Sequence, residues 1–180
     1  MLFKKKNKEI FKVSELIYKF IVEQSRVKEF YSILEVPDTI DGRFELIALH
    51  FYFIENAINK ENIEQKEIYN QILEIMYKDF DMNLREMGVG DLSVGKKIYH
   101  MTEAFTGRII AYRSLDIKKQ KDIYTSFKKN IYGTVKDIND KNVKIMINYF
   151  IESKKFIDFN FIKNGIKNSS VFLDLNRYIV

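Results

Sequence analysis

The stretch Phe44-Glu45-Leu46-Ile47-Ala48-Leu49-His50-Phe51-Tyr52-Phe53-Ile54 decides the fold of this chain. Apolar residues occupy almost every position, and the pattern continues to Ile58 with no regular polar face. A helix that is apolar nearly all round has to be covered by other parts of the protein. The run is too short to span a membrane, which needs roughly 20 apolar residues. We therefore predict a buried central helix near residues 44–58.

Apolar residues recur at helical spacing on both sides of this central stretch. The predicted flanking helices cover about residues 13–21, 27–34, 62–87, 94–112, 117–131 and 143–151. This pattern predicts an all-α, single-domain bundle of about six to seven helices, with its core in about residues 13–156. The basic segment 1–12 precedes that core, and the weakly patterned tail 157–180 would either pack on it or become ordered only on a partner.

Several residues suggest where the predicted helices begin and end. Ser14 is a candidate N-cap of the first long helix, and Asp91 or Ser93 is a candidate cap of the helix over 94–112. Gly88 stands where a left-handed residue would end the helix over 62–87.

Composition bounds the classes of function. The chain has 180 residues with 46% hydrophobic and 31% charged residues, the balance of a globular protein. It has no Cys, which excludes disulfides, thiolate nucleophiles and thiolate metal sites. The net charge of +5 suits an acidic partner such as RNA, a ribosome or anionic lipid, although a solvated lysine-rich surface is the simpler explanation. The N-terminus lacks the apolar core of a signal peptide, so we expect a cytoplasmic protein.

The segment from Gly90 to Lys97 almost matches a phosphate-binding P-loop. Lys97 replaces the hydroxyl residue that would hold magnesium, and a helix is predicted where a strand should precede the loop. The loop's amides and Lys96 would at most present an anion site at a helix N-terminus.

The candidate metal-binding and catalytic motifs also lack residues that their chemistry requires. Asp79 to Asn83 resembles the start of an EF-hand loop, but Leu84 and Gly90 occupy the positions of the required Gly and Glu. Neither His50 nor His100 has a second ligand at helical spacing, and no nucleophile–base pair can be assembled. We expect no catalytic residue, metal or cofactor, and we interpret His50 as a hydrogen-bonded core residue.

Gly107 is an anomaly inside the strong helical pattern over 94–112, where Gly costs roughly 1 kcal/mol relative to Ala. Close approach of another backbone, from a neighbouring helix or from a bound partner, would offset that cost. Ion pairs between helices are also expected. They would join Arg43, Arg85 and Arg108 to Asp41, Asp81 or Glu86.

Two segments resemble the signatures of the ubiquinol–cytochrome c chaperone family. The first is Val36-Pro37-Asp38-Thr39-Ile40-Asp41-Gly42-Arg43-Phe44-Glu45-Leu46-Ile47-Ala48-Leu49-His50. The second is Asp81-Met82-Asn83-Leu84-Arg85-Glu86-Met87-Gly88-Val89-Gly90-Asp91-Leu92-Ser93-Val94-Gly95-Lys96-Lys97, continued by Met101, Ala104, Phe105, Gly107 and Arg108. The resemblance extends from about Leu16 to Tyr112 and departs from the family at Thr106, where an aromatic residue is usual.

The resemblance implies an all-helical, non-enzymatic assembly chaperone of the alphaproteobacterial type. Its client would be newly made cytochrome b or another subunit of ubiquinol–cytochrome c reductase, the respiratory chain complex III, with a small helper subunit. Mitochondrial relatives act near the ribosome and inner membrane, which implies a cytoplasmic protein that contacts the ribosome or lies peripherally on the inner face of the cytoplasmic membrane. No sequence-specific nucleic-acid binding is expected.

The same resemblance marks the residues that form a partner-binding surface or support it. They are Pro37, Asp38, Asp41, Gly42, Arg43, His50, Asp81, Asn83, Arg85, Glu86, Gly88, Gly90, Asp91, Val94, Gly95, Lys96, Lys97, Gly107 and Arg108. The alternative functions are a ribosome- or RNA-associated factor, a nucleotide-dependent enzyme at the Gly90–Lys97 loop, and a membrane-surface protein with a different client.

Overall fold

A central helix, Ile40–Ala57, forms from the apolar stretch in the computed structural model, which describes residues 2–179 and the side chains of residues 6–179. In chain order the helices are α1 (Leu2–Ser25), α2 (Lys28–Ser32), α3 (Ile40–Ala57), α4 (Ile63–Glu86), α5 (Asp91–Ser114), α6 (Gln120–Asn130), α7 (Asp140–Phe156) and α8 (Phe159–Asn168), followed by a 3₁₀ turn (Leu175–Tyr178). Seven of these α-helices within residues 2–179 are ten residues long or longer, which confirms the predicted all-α bundle.

The buried core surrounds α3. Helices α1, α5, α7 and α8 all pack against it, and the side chains from Leu46 to Ile54 are inaccessible to solvent apart from Ile47. The predicted central helix is therefore confirmed. None of the helices within residues 2–179 is long and apolar enough to cross a membrane.

The turn between α4 and α5 brings two long helices together. Gly88 has a φ of 81°, the left-handed conformation predicted for it, and its amide donates to the carbonyl of Arg85 at 2.9 Å. The amide of Val89 then donates to the carbonyl of Leu84 at 3.0 Å, so two of the carbonyl groups in the last turn of α4 are satisfied.

The predicted starts of α1 and α5 are wrong. Helix α1 begins at Leu2 and runs unbroken past residue 13, so Ser14 lies inside it, buried, with its hydroxyl donating to the carbonyl of Ile68. Helix α5 begins at Asp91, so the N-cap position falls on Gly90, which has no side chain to cap with, and the carboxylate of Asp91 pairs with Arg85. Both predictions were wrong because each side chain binds a partner outside its own helix. Ser14 binds Ile68, which is distant in sequence, and Asp91 binds Arg85 of α4.

The C-terminal tail packs on the core. Val171, Phe172 and Leu175 are buried, and the ring of Phe172 lies 5.1 Å from that of His50. Gln24 of α1 also donates to the carbonyl of Leu173 at 3.3 Å. Of the two alternatives for the tail, packing against the core is the one observed.

Candidate functional site

The first signature forms the turn that leads into α3. Thr39 is the N-cap, and its hydroxyl accepts from the amide of Gly42 at 3.1 Å. A Cβ atom on Gly42 would lie 1.9 Å from the carbonyl oxygen of Pro37, so only glycine allows this turn to fold back on the helix. The Nε of Arg43 donates to Asp38 at 2.7 Å across the outside of the same turn.

The second signature closes the α4–α5 turn. The Nε of Arg85 donates to Asp81 at 2.5 Å, one turn earlier on α4, and the same guanidinium also pairs with Asp91 at the start of α5. Both contacts are solvent-exposed, so they contribute little to the free energy of unfolding and act mainly on the geometry of the turn. The prediction that Arg85 pairs with Asp81 is confirmed, although this contact lies within one helix.

Arg108 joins α5 to α3 through a partner that the sequence reading missed. Its Nε donates to both carboxylate oxygens of Glu45, at 2.8 and 2.7 Å. Burial raises the pKa of the Glu45 carboxyl group, and the hydrogen bond and charge of Arg108 oppose that shift. The predicted pairing of Arg108 with Asp41, Asp81 or Glu86 is wrong. Arg43 likewise pairs with Asp38 and not with any of those three carboxylates.

Gly107 lies on an exposed face of α5, and a Cβ atom placed on it would meet nothing within 4 Å. The expected close approach of a neighbouring helix is therefore absent in the part of the chain that the structure describes. The conformational cost of Gly107 is not offset inside the described molecule, and contact with a bound partner stays a prediction.

His50 is a buried core residue, as expected from the sequence. Its Nδ1 lies 2.7 Å from the carbonyl of Leu46 and 3.0 Å from the hydroxyl of Ser25, and its Nε2 lies 3.0 Å from the hydroxyl of Tyr149. Desolvation lowers the pKa of His50 to about 3, so the imidazole is neutral at physiological pH.

The signature residues thus divide by exposure. Gly42, His50 and Val94 are buried, which favours the supporting role of the two roles predicted for the signature residues. Partly exposed signature residues are Pro37, Asp81, Asn83 and Arg108. Fully exposed ones are Asp38, Asp41, Arg43, Arg85, Glu86, Gly88, Gly90, Asp91, Gly95, Lys96, Lys97 and Gly107.

The two signatures face each other across a groove of about 560 Å³, which we call the signature groove. Its lining comprises Thr39, Ile40, Asp41 and Phe44 from the first signature and Leu84, Lys97, His100, Met101 and Ala104 from the α4–α5 side. Apolar side chains form its floor and charged side chains its edges. This is the surface on which segments 40 residues or more apart in sequence converge.

Two smaller cavities adjoin the signature groove. An apolar cavity of about 150 Å³ shares Ile40, Phe44, Leu84 and Met101 with it and extends towards the end of α1. A polar cleft of about 350 Å³ lies on the other side, where the Glu45–Arg108 pair meets Lys129 of α6. Sequence reasoning missed Arg26 of the apolar cavity, because nothing in its local pattern distinguishes it. Glu45 did carry a signal, since it is a carboxylate inside an otherwise apolar helix.

The geometry also bears on the rejected motifs. Helix α4 stands where a P-loop needs a strand, and Lys97 lines the signature groove and does not follow a phosphate-binding turn. Within the described side chains, no group of three or more His, Asp or Glu residues is placed to hold a metal ion.

Comparisons with known proteins point in one direction. Residues 32–158 match the family model described as Ubiquinol-cytochrome C chaperone. The chain is 23% identical over 155 residues to the ubiquinol-cytochrome-c reductase complex assembly factor 1 of Xenopus laevis, covering 86% of this chain and 77% of the frog protein. The mouse protein of that name is 21% identical over 142 residues, which is 79% of this chain but only 48% of the mouse protein.

A solved structure extends the similarity to the fold. The crystal structure of the Cbp3 homolog from Brucella abortus superposes with a TM-score of 0.80 and 26% identity, covering 98% of this chain and 97% of the other. The likeness therefore includes α1 and the C-terminal tail, which lie outside the matched family model.

Proposed function

This chain belongs to the ubiquinol-cytochrome C chaperone family, and we propose that it assists the assembly of ubiquinol–cytochrome c reductase. It does so by binding newly made cytochrome b or another subunit of that complex, and it catalyses no reaction. The observation that carries the proposal is the signature groove, because both family signatures line it.

The chemistry of the signature groove fits an unassembled subunit as its occupant. Such a subunit exposes apolar helix surface before its partners arrive, and a groove with an apolar floor can cover that surface. Phe44 and Leu84 offer a rigid buried floor, whereas Ile40 and Met101 remain partly exposed to solvent. Methionine adapts its shape to different neighbours, which suits a transient contact.

We place this activity in the cytoplasm, at the inner face of the cytoplasmic membrane where the client is made. A small helper subunit is part of the proposal, with the turn at residues 88–90 and the exposed Asp91 and Gly95 of α5 as the adjacent surface. The net charge of +5 favours a second candidate, a ribosome- or membrane-surface binding protein with a different client. Binding of that kind weakens steeply with salt and does not depend on the signature groove.

The test is a deletion strain of the source organism, followed by reduced-minus-oxidised haem spectra of its membranes. We expect the b and c haem signals of the reductase to fall while those of the terminal oxidase remain. Unchanged spectra and normal quinol–cytochrome c activity would reject the proposal.

Two matched variants then connect the function to the signature groove. Ile40 and Ile63 are each the first residue of a helix and are 57% and 72% exposed, but only Ile40 lines the groove. An Asp at either position suits a helix N-terminus, so both variants should fold. We expect Ile40→Asp to fail to restore the reductase and Ile63→Asp to restore it. Equal rescue by both variants would remove the groove from the mechanism.

A further inference from the structure

The apolar cavity at the end of the signature groove is lined by residues of five helices, α1 to α5. Its walls comprise Val22 of α1, Phe44 and Ile47 of α3, Phe80 and Leu84 of α4, and Met101 of α5. The exposed side chains of Ile40 and Met87 border its opening, at 57% and 51% exposure. Large apolar side chains of this kind are usually covered when they cluster around a cavity.

The volume of the cavity decides the size of its occupant. An engineered apolar cavity of about 150 Å³ holds one benzene molecule, and this cavity has the same volume, about 150 Å³. Pockets for drug-sized ligands enclose about 300–1,000 Å³. The cavity is therefore too small for haem, a quinone or a full acyl chain, and it matches one bulky apolar side chain.

The positive charge at the opening of the cavity determines which groups of the occupant can lie next to that apolar side chain. The guanidinium groups of Arg26 and Arg43 both border the cavity beside Tyr31. Burial raises the pKa of Tyr31; the positive charges of Arg43 and Arg26 oppose that shift, and the negative charge of Asp38 adds to it.

The other polar groups of the cavity wall already have partners. Asp79 accepts from the hydroxyl of Tyr18 at 2.7 Å, and the amide of Asn83 donates to the carbonyl of Asp79 at 2.7 Å. Asp38 pairs with Arg43, but no carboxylate of the described residues lies within ion-pair distance of Arg26. Arg26 is therefore the group at the mouth that is left to bind an anion.

We propose that the cavity takes one Leu- or Phe-sized side chain from a helical segment of a protein partner, and that a carboxylate within one turn of it pairs with Arg26. The inference rests on the proposed function and names the chemistry of the segment that the signature groove binds. Continuity with the groove supports a helix as the occupant, since an amphipathic helix uses several apolar anchors along one groove. Lys97 at the far end offers a second positive charge.

A small probe tests the cavity independently of any client. We would titrate the full chain, labelled with ¹³C at its methionine methyl groups, with 3-phenylpropanoate, which joins an aromatic ring to a carboxylate. We expect shifts at Met87 and Met101, which line the cavity, and none at Met146, which is buried in α7. No shift at Met87 and Met101 at millimolar probe would overturn the proposal, and so would equal binding of the uncharged 3-phenylpropan-1-ol.

Arg26→Glu tests the charge, with Lys12→Glu as the matched control. Both residues are exposed, but Lys12 lies on α1 about 20 Å from the cavity mouth. We expect Arg26→Glu to weaken 3-phenylpropanoate binding about tenfold or more and Lys12→Glu to leave it unchanged, with both variants keeping wild-type helicity. Equal binding by all three proteins would show that Arg26 has no role.

A photoreactive residue in place of Met87 identifies the partner in cells. We expect cross-linked peptides of a helical protein segment that carries a Leu or Phe within one turn of an Asp or Glu. Cross-links to lipid alone, or to segments without a nearby carboxylate, would overturn the proposal. The haem spectra of the deletion strain report separately on the proposed function, so the failure of either idea is recognisable.

Discussion

The middle of α3 and its N-terminal end both carry large apolar side chains, but in opposite environments. His50 and Phe53 are fully buried, whereas Ile40 is 57% exposed and borders the signature groove. In the middle of the helix, α1, α5, α7, α8 and the C-terminal tail supply neighbours from within the chain. At its N-terminal end the apolar surface is only partly covered, so an external partner can still contribute contacts there.

The polar groups of the two regions also differ in whether they have partners inside the protein. The ring nitrogens of His50 have three partners inside the protein, from Ser25, Leu46 and Tyr149. Arg26, at the mouth of the apolar cavity, has no carboxylate partner in the part of the chain that the structure describes. Satisfied polar groups specify a unique core, and an unpaired exposed cation remains available for binding.

The largest effect should come from truncating a side chain in the middle of α3. Phe53 packs against the rings of Tyr149 and Phe150 at 6.0 and 5.7 Å, so Phe53→Ala should lower the free energy of unfolding by about 3–5 kcal/mol. Ile40→Ala on the same helix should change it by less than about 0.5 kcal/mol. Urea unfolding followed by circular dichroism measures both, and similar losses would contradict the contrast between the two regions.

Acid should destabilise the core through His50. The folded protein keeps this imidazole neutral down to a pKa of about 3, whereas in the unfolded chain it titrates near 6.5. Below pH 6.5 the unfolded chain therefore binds a proton that the folded protein does not. The free energy of unfolding should fall by about 1.4 kcal/mol per pH unit, or about 2.7 kcal/mol at pH 4.5. Comparing the pH dependence of His50→Gln isolates this contribution, and an unchanged slope in the variant would refute it.

The turn before α3 should tolerate no side chain at Gly42. Because a Cβ would lie 1.9 Å from the backbone of Pro37, Gly42→Ala has to displace the turn, at a cost of about 1–3 kcal/mol. The turn carries one edge of the signature groove, so rescue of the deletion strain should also fall. A variant with wild-type stability would show that the turn can move freely.

The smallest effect should have the opposite sign. Gly107 is exposed and has open space around it, so Gly107→Ala should stabilise α5 by about 0.5–1 kcal/mol. If a partner needs close approach at this face, the variant will be more stable yet will rescue the deletion strain less well. A loss of stability would mean that Gly107 meets a neighbour in the folded protein.

The sequence predicted the helices well where a long periodic pattern and a backbone rule agreed. The central helix and the left-handed Gly88 are examples, because an apolar run must be buried and glycine adopts positive φ at little cost. The caps at Ser14 and Asp91 were predicted wrongly. Each has a side chain that competes for several partners, and the partner that it found depends on the tertiary structure.

The candidate site was predicted in part. The resemblance selected the two signatures, but it did not separate the buried Gly42, His50 and Val94 from their exposed neighbours. The ion pair between Arg85 and Asp81, one helical turn apart, was predicted correctly, whereas the partner of Arg108 was not, since Arg108 reaches Glu45 across a helix packing that periodicity does not encode.

By itself, the sequence determined the all-helical fold, the buried central helix and the family resemblance. These follow from the spacing of apolar residues and from signature residues, which are local properties of the chain. Only the tertiary structure decided that the signatures face each other, and that Arg26 and Arg43 meet over one apolar cavity. That outcome depends on how separate helices pack, because side-chain shape and crossing geometry set the distances between them.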